Sequence, residues 1–486
     1  MAPGRAARAL LLLQVGVRLF TFVLNQLLLR TVSPAVFGAA HVQLELVLSI
    51  ALSLARDGVR AAVLRPPPTR RGSTTAQALH NLALVPAAAG GVLAAVVGGA
   101  YLRYMAPPAL WAQAGAALPV SVALYGIGAY LELLAEPLHA RALALPQYVR
   151  VRVGMEVGGV LARALVLVLL LPPARLQWLR THGESYLTVP SGDLPWTLIA
   201  FALARAAYGA AVWVVAAASL AHLLSWADVA RALWPSWHAP LFATPETQAL
   251  VRVTTTQAVL KLVLTEGDKL ALTRLTSLAH QGGYALASNY GSVVARTVFQ
   301  PLEESVRLQL ARRTDEAGMV HALTLLQVLL RAHLLLGAVL VAVGPPLARP
   351  ALRLVAGAAW AAPSSPAAPI LATYCWYVPV MGINGLLEAF VQSVAPPDVL
   401  SRYSRVLVAS SAAFVAVLAA AHVWDAESAI VWANVVALGV RAGAAYAYVQ
   451  RHEAPTPQAR EITWRALMPR ARTVALQRGR VWGPWA

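Results

Sequence analysis

Charge is scarce in this sequence. Only 12% of the 486 residues are Asp, Glu, Lys or Arg, against 58% hydrophobic, and the mean hydropathy is +0.61. Soluble domains carry about 25% charged residues, so a soluble globular chain is excluded. Lysine is almost missing: Lys261 and Lys269 are the only two among 39 basic residues. The net charge of +18 is therefore an arginine excess within an Ala- and Pro-rich composition, and it gives no support to a nucleic-acid partner. With a single cysteine, Cys375, no intrachain disulfide can form. No Asn-x-Ser/Thr sequon occurs, and the histidines lack metal-ligand spacing. The absence of a P-loop, a dinucleotide fingerprint and a nucleophile elbow argues against an enzyme and against a bound cofactor.

Apolar runs fill the space that charge leaves. A bilayer-spanning helix needs about 20 predominantly apolar residues. Runs of that length are expected as helices near 9–29, 35–55, 78–105, 114–139, 149–171, 195–223, 247–278, 281–309, 319–346, 367–395, 400–422 and 427–450. The chain reads as an all-α polytopic membrane protein with about twelve transmembrane helices. Arg18 and Asn25 interrupt the first run, so it is not a cleavable signal peptide.

Basic residues concentrate in cytoplasmic loops. Alternate counting from Arg5 and Arg8 puts Arg56, Arg60, Arg65, Arg70 and Arg71 on one side, with Arg141, Arg150, Arg231, Arg307, Arg312, Arg313, Arg402 and Arg405. Fewer fall on the other side, and the tail is basic, so both termini are expected to be cytoplasmic. The Trp- and Pro-rich stretch between the sixth and seventh helices suggests four regions. These are an N-terminal six-helix bundle (1–224), an interbundle connection (225–246), a C-terminal six-helix bundle (247–450) and a basic cytoplasmic tail (451–486).

Polar residues recur at helical spacing inside the apolar runs. Gln14, Arg18, Thr21 and Asn25 share one face of the first helix; His41, Glu45, Ser49 and Arg56 form a similar stripe in the second. Arg152, Glu156 and Arg163 align in the fifth, Arg296, Gln300 and Glu303 in the eighth with Glu304 beside them, Asn384, Glu388 and Gln392 in the tenth, and Asn434, Arg441 and Tyr448 in the twelfth. A charged side chain at the bilayer centre costs roughly 2.5–3.5 kcal/mol even on insertion scales, so these faces are expected to point inward. One reading pairs the charges with one another to pin helices. The other gathers the polar faces around a hydrated cavity, where surplus arginines bind an anionic, phosphate-bearing cargo through their planar forks. Glu132 and Glu136 form a further pair on one side of the fourth helix, read as an inter-helix hydrogen-bonding site or a proton relay.

Several long motifs occur in order: LLLQVGVRLFTFVLNQLLLR (Leu11 to Arg30), LARDGVRAAVLR (Leu54 to Arg65), LTEGDK (Leu264 to Lys269), GSVVARTVFQPLEES (Gly291 to Ser305), YCWYVPVMGINGLLEAF (Tyr374 to Phe390) and ANVVALGVRAGAAY (Ala433 to Tyr446). In these the chain resembles the Rft-type proteins. The resemblance implies translocation of a dolichol-diphosphate-linked oligosaccharide across the endoplasmic reticulum membrane for N-glycosylation. It also implies the fold of the multidrug, oligosaccharidyl-lipid and polysaccharide exporter superfamily, two six-helix bundles around a central cavity that opens alternately.

On this resemblance the residues expected to bind the diphosphate or sugar are Arg18, Asn25, Arg30, Arg56, Arg60, Arg296, Gln300 and Arg441. Coupling or structural charges are Glu45, Lys261, Glu266, Asp268, Glu303, Glu304 and Glu388. Partners are the dolichol-linked oligosaccharide, membrane lipids and proteins of the glycosylation machinery. Two alternatives stay open: an ion-coupled small-solute exporter using Glu45, Glu132 and Glu266, and a non-transporting accessory of lipid-linked oligosaccharide assembly. Members of the family continue with two further spans, whereas Glu461 to Ala486 is too basic to cross a bilayer, so a groove formed by that pair is expected to be missing.

Overall fold

The computed structural model describes residues 26, 29, 32–64, 73–143, 145–170, 194–235, 245–299, 302, 303, 306, 316–395, 397–423 and 428–452. All regular secondary structure among them is helical. Eight helices are long and apolar enough to cross a membrane: Pro34–Arg60, His80–Met105, Ala117–Ala142, Arg150–Leu170, Leu194–Leu223, Leu325–Val355, Ala367–Ser393 and Ala429–Gln450. The expected seventh, eighth and eleventh spans are also helical, over Pro245–Leu275, 278–299 and Pro397–Val423, and the last contains the shorter apolar helix Arg405–Ala420. The expected first span, 9–29, falls outside the described residues except for Gln26 and Leu29.

Local chemistry sets the helix ends. Pro34 and Pro108 stand in the first turns of their helices, where a missing N–H costs nothing. Ser33 and Ser225 are N-caps, accepting from the backbone N–H of Val36 and Asp228. The helix over 34–64 is longer than the run 35–55 read from the sequence and passes through two π-helical stretches, Ala39–Leu44 and Ser53–Asp57. The expected fourth span, 114–139, divides into Pro108–Ala114, Ala117–Leu133 and Glu136–Ala142. Pro137 causes the second break, since it has no N–H for the carbonyl of Leu133 and its ring crowds that carbonyl.

The polarity of the surface is inverted relative to a water-soluble protein. Val92, Val96, Leu165, Leu169 and Val339 are each at least 60% exposed, while Glu136, Arg205 and Glu388 are buried. Apolar side chains face lipid, and charges are taken inward.

By internal contacts the chain forms two compact units. The first comprises residues 1–282 with 353–362, the second 283–352 with 363–486. The division lies at Gly282, inside the helix that starts at Leu278, and not at the 225–246 connection where the sequence suggests a joint. The reason is packing: the 245–275 helix lies against the 34–64 helix, where Thr254 Oγ1 donates to the Gly58 carbonyl at 2.8 Å and the bare Cα of Gly58 admits Thr255.

In the first unit the 117–133 and 194–223 helices cross at Gly128 and Gly209, each glycine facing the other helix's backbone. An apolar core of Leu138, Met155, Val212, Leu220 and Val229 closes one end. There the amphipathic helix Trp226–Leu233 buries Val229 and Ala232 and leaves Trp226 exposed. The second unit is centred on Leu326, Leu330, Leu386, Phe390, Tyr403 and Tyr446.

Candidate functional site: a buried arginine–glutamate network

The break before Pro137 positions two carboxylates. Glu132 sits in the last turn of one helix and Glu136 in the first turn of the next, both turned toward the 34–64 helix. That helix supplies Arg56 from the π-helical stretch Ser53–Asp57 and Arg60 one turn later. A π bulge inserts an extra residue per turn and re-aims side chains, and such bulges are frequent at functional sites. The 194–223 helix supplies Arg205 beside the glycine crossing.

These groups form one network. Arg56 Nη1 donates to Glu132 Oε1 at 2.7 Å and lies 3.7 Å from Glu136 Oε1. Arg60 grips Glu136 with two donors, Nε to Oε2 at 3.0 Å and Nη2 to Oε1. Arg205 Nη2 donates to Glu132 Oε2, and its guanidinium lies over the Tyr208 ring at 4.4 Å. Asp57 stands 3.6 Å from Arg56 Nε and is 42% exposed, whereas Arg205 and Glu136 side chains are only 7% and 8% exposed. Three cations thus face two buried carboxylates and one half-exposed one. Ion pairs this dry need good geometry to offset desolvation. The fork-to-carboxylate contacts of Arg60 supply it.

A small cleft opens on the network from one side. Its walls are Val59, Val63, Ala83, Pro86 and Leu143, and its polar groups are Arg60, Glu136 and His139. His139 Nε2 in turn meets the Tyr148 hydroxyl at 3.3 Å.

In the second unit Arg441 makes a two-point contact with Glu388, Nε to Oε1 and Nη2 to Oε2, both at 2.8 Å. The Tyr403 hydroxyl donates to Glu388 Oε1 at 2.9 Å. One turn from Glu388, Asn384 is buried with an unpartnered carbonyl oxygen among the described residues.

The remaining sequence-derived positions fall as follows. Arg18, Asn25, Arg30, Gln300 and Glu304 lie outside the described residues, as do the side chains of Lys261, Asp268 and Arg296. Glu266 pairs with Lys269 at 2.8 Å, one turn apart on its own helix. Glu303 packs against Gly385, where only a missing Cβ leaves room. Glu45 Oε2 is buried and has no hydrogen-bond partner among the described residues. His41, one turn before it, is held by Phe37 and by an edge contact to Phe201.

The expectation that every polar stripe turns inward is corrected in two helices. Arg152 and Glu156 pair with each other at 3.5 Å while 58% and 54% exposed. They occupy the first turns of the 148–170 helix, where water is within reach of a long side chain. Gln392 is likewise exposed. Arg205 was not among the sequence candidates, because it has no charged neighbour at helical spacing on its own helix. Its signal was its place: one arginine midway along a 30-residue apolar helix, whose other basic residue, His222, is in the last turn, is by itself a reason to look for a partner.

Comparison with known proteins follows the same lines. The solved structure "Lipid II flippase MurJ, inward closed conformation" superposes with a TM-score of 0.60 at 10% identity, covering 91% of this chain and 87% of that one. At that identity the likeness shows the fold alone: a polytopic, all-helical membrane architecture. Over 485 residues the chain is 29% identical to the Man(5)GlcNAc(2)-PP-dolichol translocation protein RFT1 of Mus musculus, covering 93% of this chain and 83% of that protein. The protein of the same name from Eremothecium gossypii is 30% identical over 428 residues, with 84% and 75% covered. Residues 4–478 match the sequence model described as Rft protein, and the chain is therefore a member of the Rft protein family.

Proposed function

We propose that this protein translocates the dolichol-diphosphate-linked oligosaccharide intermediate across the endoplasmic reticulum membrane, working by alternating access. The observation that carries the reading is the match over nearly the whole chain to proteins named for that translocation, at 29% identity over 93% of its length. The fold shared with a flippase of a lipid-linked precursor supports it, as does a membrane interior furnished with arginines. About twelve spans with both ends in the cytoplasm complete the topology. No bond is made or broken, so the protein is not an enzyme and needs no cofactor. Arg18, Asn25, Arg30, Arg56, Arg60, Arg296, Gln300 and Arg441 are the groups offered to diphosphate and sugar, while the polyprenyl tail stays in lipid.

The test is reconstitution of the full chain into liposomes with labelled dolichol-diphosphate oligosaccharide. Faster exchange between leaflets than in empty liposomes supports the reading. Tight binding with no acceleration replaces it by an accessory role beside the glycosylation machinery. Charge reversal at Arg18, Arg296 and Arg441 supplies the internal check: if all three variants complement a strain lacking its own relative, cavity arginines are not what holds the cargo.

A further inference from the structure

Arg56, Arg60 and Arg205 are already engaged. Each is held by a carboxylate, and the local charge is balanced when Asp57 is counted with Glu132 and Glu136. A diphosphate arriving here meets no unmatched positive charge and binds only by replacing carboxylates on the guanidinium forks. The displaced Glu136 and Glu132, 8% and 15% exposed, would then be buried without partners. An ionised carboxylate in that state is strongly disfavoured, and it takes up a proton instead.

We propose that the Arg56–Arg60–Arg205 network is a proton-for-carboxylate exchange site, in which a diphosphate takes the arginines as Glu136 and Glu132 are protonated. The proposal rests on the transport reading above and adds its coupling: protons enter the protein with the anion and leave when the carboxylates recapture the arginines. Charge balances at each stage for the cargo, a diphosphate diester whose two negative charges are offset by one proton on each of the two glutamates.

The geometry favours Glu136 as the first to exchange. Arg60 is the most exposed of the three arginines at 34%, and together with Glu136 and His139 it faces the cleft between the 58–64, 73–100 and 136–142 segments. The cleft's remaining walls are apolar. Other charged or titratable groups about the network are Asp57, Arg56 and Glu45 on the 34–64 helix, Arg205 and Tyr208 on the 194–223 helix, and Tyr148, Arg152 and Arg163 on the 148–170 helix. Tyr148 engages the His139 ring.

The full chain in nanodiscs is titrated with inorganic pyrophosphate, and separately with geranylgeranyl diphosphate, by calorimetry in buffers of different ionisation enthalpy. Net proton uptake on binding either ligand supports the exchange; uptake with the lipid diphosphate alone means that tail contacts are required as well. Binding without proton uptake overturns it, as does no binding of either ligand. Glu136→Gln removes the competing ionised acceptor while keeping the shape of the side chain. It should tighten diphosphate binding about tenfold, lower the proton uptake and flatten the pH dependence. A purely structural glutamate would instead give weaker or unchanged binding with the proton count intact. If this variant does not fold, the wild-type proton count decides alone. Failure to flip oligosaccharide with proton-coupled binding intact would remove the transport reading only. Flipping at a pH-independent rate with no proton uptake would remove only the exchange.

Discussion

Glu132 is where the network is most sensitive, because it serves two arginines on two different helices. Glu132→Met leaves Arg205, 7% exposed, with no other carboxylate in hydrogen-bond reach among the described residues, and leaves Arg56 only the longer approaches to Asp57 at 3.6 Å and Glu136 at 3.7 Å. Stranding a buried partner costs about 3–5 kcal/mol. Arg205→Met is milder. Glu132 keeps Arg56 at 2.7 Å, so one charged hydrogen bond is lost and the cost is about 1.5–3 kcal/mol. The double variant replaces a buried pair with two flexible apolar side chains, a change that is often near neutral. Its loss should be smaller than that of Glu132→Met alone, giving a favourable interaction energy of at least about 2 kcal/mol. Equilibrium unfolding in mixed micelles, read by tryptophan fluorescence, measures all four corners of the cycle. Single effects that add to within about 0.5 kcal/mol would refute the claim that these residues form one unit.

Three further outcomes can be checked the same way. Tyr403→Phe removes a donor to the Glu388–Arg441 pair at 2.9 Å and should lower stability by about 1.5–3 kcal/mol in unfolding titrations. Gly209→Ala puts a methyl group onto the Gly128 carbonyl oxygen and should cost about 1–3 kcal/mol, whereas Gly99→Ala, with open space around it, should be neutral or gain up to about 1 kcal/mol from helix propensity. Equal melting shifts for those two alanines would contradict the glycine crossing. Trp360→Phe removes the indole N–H that Leu29 O accepts at 2.8 Å in a fully buried position, and a melting temperature equal to wild type would show that this bond contributes nothing.

The membrane class and the helical spans were legible because bilayer thickness imposes a length on every apolar run, and that length is written along the chain. The stripe His41, Glu45, Arg56 was legible for a similar reason: helical periodicity is local. Pairing was not. Arg56 and Glu132 are 76 residues apart, and Arg205 and Glu132 are 73 apart. Nothing in the spacing of either stripe says which carboxylate each guanidinium meets. The sequence offered two uses for Arg56 and Arg60, mutual pairing or cargo binding, and in the structure both are paired.

Sequence alone, then, determined that this is an all-helical, multi-pass membrane chain with ionisable residues held away from lipid, since apolar length and helical periodicity act over a few turns. Only the tertiary structure decided that the 245–275 helix packs with the first unit, that Pro137 splits a span so that Glu132 and Glu136 end up beside Arg56 and Arg60, and that a lone Arg205 completes the network. Those outcomes depend on which helices approach within a glycine's width of each other, and that is a property of packing between distant segments rather than of any one of them.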